Sequence, residues 1–289
     1  MSGIRQAWSK AVLQLLGRRR AWRVGRSLYL CARADYPNTM ATNGERLMQR
    51  HLLQACAQLG MRPVVIDVGA NVGAWSQSLF ATYALCPMGQ GVDLHCFEPV
   101  PATFETLKRR LVGIPQGVSV RFEPKAISRC RGTMEMYIVG EQAGTNSLHP
   151  DGTQGAQCIS VEVTTADAYC SDNNIPLVHY LKCDTEGHDA EVLAGADRLL
   201  QEGRIMTFQF EYNHRWVYSR HYLRDVFELV KRRPYQLGKI TPTGIDLYEH
   251  WHPELERFFE GNYALIHDSA LEWYPVCRGA FDEANTYGA

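Results

Sequence analysis

The chain has 289 residues, 45% of them hydrophobic, which is enough to bury the core of one large α/β domain with a small appendage. Its net charge of -1 argues against a protein that binds nucleic acid through bulk charge. Nine scattered cysteines without a Cys-x-x-Cys pair argue against a zinc ribbon and indicate buried, reduced thiols in a cytoplasmic protein.

Basic charge is concentrated at the N-terminus. Residues 1–34 contain eight Lys or Arg and no Asp or Glu, so the remainder carries a net charge of -9. The segment SKAVLQLLGRRRAWRVGRSLYL is predicted to form a basic amphipathic helix within an N-terminal extension, residues 1–42. We favour a helix packed on the domain with a solvated basic face. The alternative is a weak contact with an anionic membrane surface, which would make the protein peripheral to a membrane.

From residue 63 onward, apolar runs alternate with segments of helical periodicity. Strands are predicted at 63–69, 92–99, 118–128, 133–139, 158–165, 178–184, 205–212 and 262–267, helices at 71–85, 101–111, 188–201 and 222–233, and a hairpin at 235–249. This alternation indicates βαβ units and a mostly parallel sheet covered on both faces, with an antiparallel addition at one edge. Ligands in such sheets bind beyond the carboxyl ends of the strands.

The stretch VVIDVGANVGAW, residues 64–75, joins the first strand to a helix. Gly69 and Gly73 are expected to permit a tight turn and a close approach to a ligand. Asn71 occupies the second glycine position of a dinucleotide fingerprint, so G-x-G-x-x-G is absent. Asp67 would repel a pyrophosphate but suits a ligand with a cationic end. These features argue against a nicotinamide-dependent oxidoreductase.

The second predicted strand ends at Glu98, an acid well placed to accept both hydroxyls of a ribose. A ribose combined with a cationic amino-acid tail describes S-adenosylmethionine. The loop Lys125-Ala126-Ile127 is expected to supply backbone contacts to the adenine. The predicted cofactor-binding residues are Asp67, Gly69, Ala70, Asn71, Gly73, Glu98, Pro99, Ala126 and Asp184.

Six segments of the chain resemble those of a known family. The matching segments are NGERLMQRHL (43–52), VVIDVGANVGAW (64–75), HCFEPVPATFETLK (95–108), YLKCDTEGHDAEVLAGA (180–196), FQFEYN (208–213) and FEGNYALIH (259–267). They resemble the FkbM family of S-adenosylmethionine-dependent methyltransferases. The resemblance implies a class I methyltransferase fold: an α/β, Rossmann-like, seven-stranded and mostly parallel sheet with an antiparallel last strand and helices on both faces. It places the methyltransferase domain at 43–270 and a C-terminal tail at 271–289.

The candidate catalytic residues are acids and a histidine near the ends of two strands: Asp184, Glu186, Glu211 and His214. One interpretation is a general base accompanied by side chains that bind substrate hydroxyls. The other is a Mg²⁺ site with Asp184, Glu186 and Glu211 as ligands, and spacing does not decide between them. Asp184 and Glu186 are also compatible with capping the helix that follows. Two polar loops, 43–45 and 144–147, are surface loops by default and could alternatively close the site.

The resemblance implies O-methylation of a hydroxyl on a sugar, a glycan or a secondary metabolite, with S-adenosyl-L-methionine as methyl donor. The alternatives are a non-catalytic binding or scaffold module on a methyltransferase-like fold, and N-methylation of a small molecule or peptide. Nucleic acid is not expected as a partner, because no Asn/Asp-Pro-Pro-Tyr/Phe motif occurs and the body of the chain is acidic.

Overall fold

A computed structural model describes residues 2–35, 39–86, 90–138, 148, 157–283 and 285–288, so the predicted loop 144–147 lies outside the described residues. The helices are α1 Ser2–Ala32, α2 Glu45–Gln58, α3 Ala74–Leu85, α4 Pro101–Arg110, α5 Ala166–Asp172, α6 Asp189–Ala194, α7 Asp197–Gln201, α8 Trp216–Ser219 and α9 Leu223–Val230. The strands are β1 Val64–Val68, β2 Val92–Phe97, β3 Val118–Glu123, β4 Ala126–Ile127, β5 Gly132–Ile138, β6 Gln157–Thr164, β7 Tyr180–Cys183, β8 Thr207–Tyr212, β9 Tyr235–Thr241, β10 Gly244–Tyr248, β11 Gly261–His267, β12 Val276–Arg278, β13 Ala280–Phe281 and β14 Tyr287–Gly288.

The main sheet has nine strands among the described residues, in the order β12-β10-β9-β11-β8-β7-β1-β2-β3. Strands β1, β2, β3, β7 and β8 pair in parallel, whereas β11 is antiparallel to both of its neighbours, β8 and β9. The predicted α/β class, the mostly parallel sheet and the antiparallel strand are confirmed. The antiparallel strand lies inside the sheet rather than at its edge, and β10 and β12 extend the sheet beyond seven strands.

Side chains of successive strand residues enter two different cores, because they point to opposite faces of the sheet. Ile66 and Val68 of β1 pack with α5, α6, α7 and α9, while Val65 packs with α2 and α3 on the other face. Each fully buried Val, Leu or Ile stabilises the fold by about 1.5–3 kcal/mol. Burial on both faces explains why these strands are continuous apolar runs.

A second, three-stranded sheet was not foreseen as a separate unit. Its order is β4-β6-β5, with β4 parallel and β5 antiparallel to β6. Val161 and Val163 of β6 pack against Met136 of β5 and Val100 after β2, so this sheet covers the loops beyond the carboxyl end of β2. It therefore supplies one side of the functional cleft.

The predicted helix 188–201 consists of two short helices, α6 and α7. Gly195 lies between them, and a Cβ at this position would meet the carbonyl oxygen of Ser128 at 2.0 Å. The close approach of the chain at residue 128 therefore requires glycine where the helix is interrupted.

Residues predicted as a C-terminal tail take part in the sheet. Strand β12 pairs in parallel with β10, Tyr274 is buried, and β13 pairs with β14. The segment 271–289 is thus joined to the main sheet through β12, while β13 and β14 form a small sheet of their own.

Helix α1 differs from the favoured prediction of a helix packed on the domain. Its side chains from residue 6 to residue 29 are exposed, except for the half-buried Leu16 and Ala21. Gly17 interrupts the helix with φ 69° and ψ 156°, which separates the segments 2–16 and 18–32. Contacts with the domain begin at its C-terminal end, where Tyr29 donates a hydrogen bond to Glu254. Within the described part of the chain, no helix is both long and apolar enough to cross a membrane.

Candidate active site

A cleft lies at the carboxyl ends of β1, β2 and β7, where ligands bind in sheets of this type. The predicted site residues that line it are Gly69, Asn71, Glu98, Pro99, Ala126, Asp184 and Glu186. Three strand ends and the small sheet therefore bring together side chains that lie more than 100 residues apart in the sequence.

The glycine turn after β1 has the expected backbone conformation, but its glycines approach other parts of the protein rather than the ligand site. Gly69 has φ 74°, and a Cβ there would meet the carbonyl oxygen of Asp184 at 2.0 Å. Gly73 has φ 84°, and its Cβ would meet Leu107 at 2.9 Å. The tight turn is present, but at both positions the close approach is to the protein itself, so these glycines fit β7 and α4 against the loop.

Glu98 is anchored at the tip of β2. Its Oε2 accepts a hydrogen bond from the backbone N–H of Asn71 at 3.0 Å, and its Oε1 accepts one from Val100 at 2.9 Å. Burial raises the pKa of Glu98 to about 7, although these two N–H groups favour the charged form. A carboxylate offers about four acceptor positions, so each oxygen retains capacity for a ligand hydroxyl.

Asn71 follows the turn at φ 49°, and its side chain has an unused acceptor. The amide Oδ1 is buried and makes no hydrogen bond in the structure. A buried acceptor without a donor is unfavourable by about 1–3 kcal/mol, so this atom is suited to receive a donor from a ligand in the cleft.

Asp67 and Lys182 form a buried polar row beneath the cleft. They are register partners on the neighbouring strands β1 and β7, so their side chains point to the same face. Lys182 Nζ lies 3.4 Å from Asp67 Oδ1 and 3.4 Å from Asp184 Oδ2, and Ser76 donates to Asp67 Oδ2 at 2.7 Å. Asp67 is fully buried and does not line the cleft, so its predicted contact with the cofactor remains a prediction.

The ammonium group of Lys182 was missed by sequence reasoning. Burial by itself would lower the pKa of Lys182, but the carboxylates of Asp184 and Asp67 outweigh burial and raise this pKa. The signal in the sequence is a lone lysine within the apolar run YLKC, directly before an acid. A charged residue in a strand that is buried on both faces must find a partner.

The polar row continues into the loop 43–45, which reaches the interior rather than the surface. Gln209 of β8 is the register partner of Lys182 and donates to Glu45 Oε1 at 2.8 Å. Asn43 donates to Glu45 Oε2 at 2.9 Å. Burial raises the pKa of Glu45, while Asn43 and the charge of Lys182 lower it. The loop thus supports the floor of the cleft from behind.

Acidic side chains surround the other end of the cleft. Glu186 lines the cleft, and its Oε2 lies 3.1 Å from Arg215 Nε. Burial and the charge of Asp184 raise the pKa of Glu186 to about 8, while Arg215 opposes the shift. Burial likewise raises the pKa of Glu211 well above its ordinary value, with Asp184 the largest charged contributor.

The remaining predicted residues are placed further from the cleft. His214 is exposed, and Ala70, Gly73 and Glu211 do not line the cleft wall. Asp189, which was not singled out, is fully buried behind Glu211 and accepts its backbone N–H at 3.2 Å. Burial and the charge of Asp184 raise the pKa of Asp189 to about 6.

The structure does not support the Mg²⁺ alternative. In the residues it describes, no group of three or more His, Cys, Asp and Glu side chains is arranged to hold a metal ion. Glu186 is engaged with Arg215, and Glu211 accepts a hydrogen bond from Asn213 at 2.6 Å. We therefore derive no step that involves a metal.

An apolar wall completes the cleft and was also missed. It is formed by Val68, Phe97, Ile127, Met136 and Leu148. Three of these residues, Ile127, Met136 and Leu148, come from the unforeseen small sheet and the chain that follows β5. A flat apolar surface next to Glu98 is suited to a planar ring attached to a ribose.

A model of the methyltransferase FkbM domain matches residues 67–237, which is more than half of the chain. The chain belongs to the FkbM methyltransferase family. Its matched region begins at Asp67 near the end of β1 and extends into β9, so it includes the ends of β1, β2, β7 and β8. The family is thus shown over the elements that form the cleft.

Two curated FkbM-type relatives are similar at low identity. Hexuronic acid methyltransferase AglP of Haloferax volcanii is 26% identical over 55% of this chain and 59% of the relative. The 31-O-demethyl-FK506 methyltransferase FkbM of Streptomyces tacrolimicus is 27% identical over 47% of this chain and 61% of the relative. The chain spans about three fifths of the length of these relatives.

Two solved methyltransferase structures are also similar to this chain, at low sequence identity. A SAM-dependent methyltransferase from Agrobacterium tumefaciens has a TM-score of 0.40 at 11% identity, covering 78% of this chain and 62% of that chain. The plantazolicin methyltransferase BpumL in complex with SAH has a TM-score of 0.40 at 10% identity, covering 92% of this chain and 100% of that chain.

Proposed function

We propose that this FkbM-family chain is an S-adenosylmethionine-dependent O-methyltransferase that acts on a hydroxyl group. One observation carries the proposal: a single cleft has Glu98 and Asn71 at one end and Asp184 and Glu186 at the other. Glu98 and Asn71 suit a nucleoside, Asp184 suits its cationic tail, and Glu186 suits an acceptor whose hydroxyl must lose a proton.

The residues at the first end fit the methyl donor. Glu98 has free acceptor capacity for ribose hydroxyls, the unused Oδ1 of Asn71 can accept an N–H donor, and Met136 and Leu148 offer apolar contacts to the adenine. Asp184, whose side chain is 42% exposed, supplies negative charge for a cationic tail. The bound donor supplies an electrophilic methyl group on a sulfonium.

At the second end, we propose Glu186 as the general base. Its carboxylate lines the cleft, and its pKa is raised to about 8 by burial and by Asp184. A base with a pKa near the working pH accepts a proton effectively. Arg215, at 3.1 Å, holds the Glu186 carboxylate in place.

The charges at this end indicate a neutral, hydroxyl-rich acceptor such as a sugar. Carboxylates accept hydrogen bonds from hydroxyls, and they repel an anionic acceptor. The charges of Asp184, Asp189 and Glu260 act on Glu186 and the charge of Arg215 opposes them, so acidic groups outnumber basic ones around Glu186. An uncharged glycoside is therefore preferred over a uronic acid in this proposal.

The test is a methyl-transfer assay with S-adenosylmethionine and a panel of acceptors: a neutral methyl glycoside, a uronic acid, a hydroxylated macrolide and an amine-bearing peptide. We expect S-adenosylhomocysteine to form with hydroxylated acceptors, with the new methyl on oxygen by NMR. Glu186→Gln should lower turnover and leave the affinity for S-adenosylhomocysteine unchanged. A methyl group found on nitrogen would favour the N-methylation alternative, and a chain that binds no cofactor would favour the scaffold alternative.

A further inference from the structure

Exposed apolar side chains are concentrated on α1. Among the described residues, this helix provides eight of the sixteen exposed large hydrophobic side chains. Trp8 and Trp22 are each 70% exposed, and Leu15 is 84% exposed. Tryptophans in full contact with water on one helix are typical of a surface that is covered by a partner or a membrane.

In segment 2–16 the apolar side chains form a stripe. Trp8, Val12 and Leu15 follow one another at spacings of four and three residues, which places them on one face of a helix. Lys10 lies on the opposite side, since two positions along a helix correspond to a rotation of about 200°. This segment is therefore amphipathic.

Segment 18–32 is also amphipathic, with a helical periodicity separate from that of segment 2–16. Val24 and Leu28 share one face, four residues apart, and are 50% and 66% exposed. Arg19, Arg23 and Arg26 occupy another face at spacings of four and three, and Trp22 lies at the margin of this basic face, beside Arg19 and Arg26. The non-helical backbone at Gly17 separates the helical periodicity of this segment from that of segment 2–16.

The charge of α1 indicates which kind of surface the helix binds. The helix carries Lys and Arg and no acidic residue, whereas the rest of the chain is acidic. Basic side chains beside exposed Trp and Leu are complementary to a surface that is anionic outside and apolar beneath. We propose that α1 lies on the surface of a bilayer containing anionic lipids and holds the protein there. The proposal is independent of the methyl acceptor.

The C-terminal end of α1 is fixed to the domain near the cleft. Arg33 donates to the carbonyl oxygen of Glu254 at 2.6 Å and stacks 5.8 Å from the ring centre of Phe259. Strand β11 begins two residues after Phe259, and its first residue, Gly261, pairs with Tyr212 at the carboxyl end of β8. A membrane-bound α1 would therefore hold the edge of the sheet at which the cleft opens close to the bilayer.

The experiment is co-sedimentation of the full chain with phosphatidylcholine vesicles, with and without about 30% phosphatidylglycerol, at low and high salt. We expect binding to the anionic vesicles only, weakened by salt. Replacing Arg18, Arg19 and Arg20 with Gln should weaken binding about 100-fold, since each basic residue near an anionic surface contributes about a factor of five. Trp8→Ser with Trp22→Ser should weaken it as well.

A matched control is available on α4, where Lys108, Arg109 and Arg110 form a second exposed basic triplet. Replacing these three residues with Gln removes the same charge and should leave vesicle binding within about twofold. Equal losses from the two triplets, or no binding to anionic vesicles, would overturn the proposal. So would sedimentation velocity showing a dimer that the Trp8→Ser, Trp22→Ser variant abolishes, because α1 would then be covered by a second copy.

Discussion

Lys182 is the residue on which the floor of the cleft depends. Its ammonium group joins Asp67 of β1 to Asp184 at the end of β7, with both oxygens at 3.4 Å. Because Asp67 is fully buried, its negative charge is stable there only while a positive charge lies close by. The cleft residue Asp184 is thus tied to a charge network whose other members, Lys182 and Asp67, are buried beneath the cleft.

The first prediction concerns this network. Lys182→Met should lower the free energy of unfolding by about 3–5 kcal/mol, since it leaves Asp67 buried without its cation. The measurement is urea unfolding followed by circular dichroism. Lys125→Met is the matched control, because Lys125 pairs with Glu162 at 2.7 Å on the surface and should cost less than about 1 kcal/mol. Equal costs for the two variants would contradict the network.

The second prediction concerns the proton acceptor. Because the pKa of Glu186 is raised to about 8, kcat/KM should increase with pH and level off above that value. Glu186→Gln should reduce kcat by about 10²–10⁴-fold and remove this step from the pH profile. A step that persists unchanged in the Gln variant would assign the proton transfer to another group.

At the scale of elements, the sequence predicted the parallel strands of the main sheet but not the separate small sheet. The strands that end at Asp67, Glu98 and Asp184 are buried on both faces, and continuous apolar runs ending in an acid mark them clearly. The small sheet was not predicted as a unit because its pairing joins residue 126 to residue 163, and such pairing leaves no local pattern.

Among site residues, Glu98 could be placed because its position at a strand end follows from the sequence. The burial of Lys182 could not, since it depends on the register between β1 and β7. The exposure of α1 was missed for a related reason. An amphipathic pattern predicts that an apolar stripe is covered, but it does not identify what covers it.

The third prediction belongs to α1. Deletion of residues 1–28 should change the melting temperature by less than about 2 °C, because exposed side chains contribute little to the core of a domain of this size. Differential scanning calorimetry measures the effect. The deletion keeps the anchoring residues Tyr29 and Arg33. A loss of more than about 5 °C would show that α1 packs on the domain after all.

At the scale of the whole molecule, buried acids oppose folding at alkaline pH. The pKa of Glu186 is raised to about 8 and that of Glu98 to about 7, both from 4.5 and mainly by burial. Between 4.5 and the raised value, the folded chain holds a proton that the unfolded chain has released. Stability must therefore fall as the pH rises through this range.

The fourth prediction follows from this linkage. The melting temperature of the ligand-free protein should decrease between pH 6.5 and about 8, because the buried acids of the folded chain retain protons that the unfolded chain has released. Thermal melts in buffers of constant ionic strength measure it. Glu186→Gln together with Glu98→Gln should flatten the dependence, while Glu105→Gln on the surface should not. A melting temperature that rises toward pH 8.5 would contradict the burial of these charges.

The central claim is that one cleft, at the carboxyl ends of β1, β2 and β7, binds an adenosyl ligand through Glu98. Calorimetric titration with S-adenosylhomocysteine at pH 8 tests it most directly, with Glu105→Ala as the control for loss of an acid. We predict one site per chain, unchanged affinity in the control and about 10- to 100-fold weaker binding for Glu98→Ala, as expected for hydrogen bonds to a charged group. No binding by the unmodified chain, or equal affinity in the Glu98→Ala variant, would contradict the account.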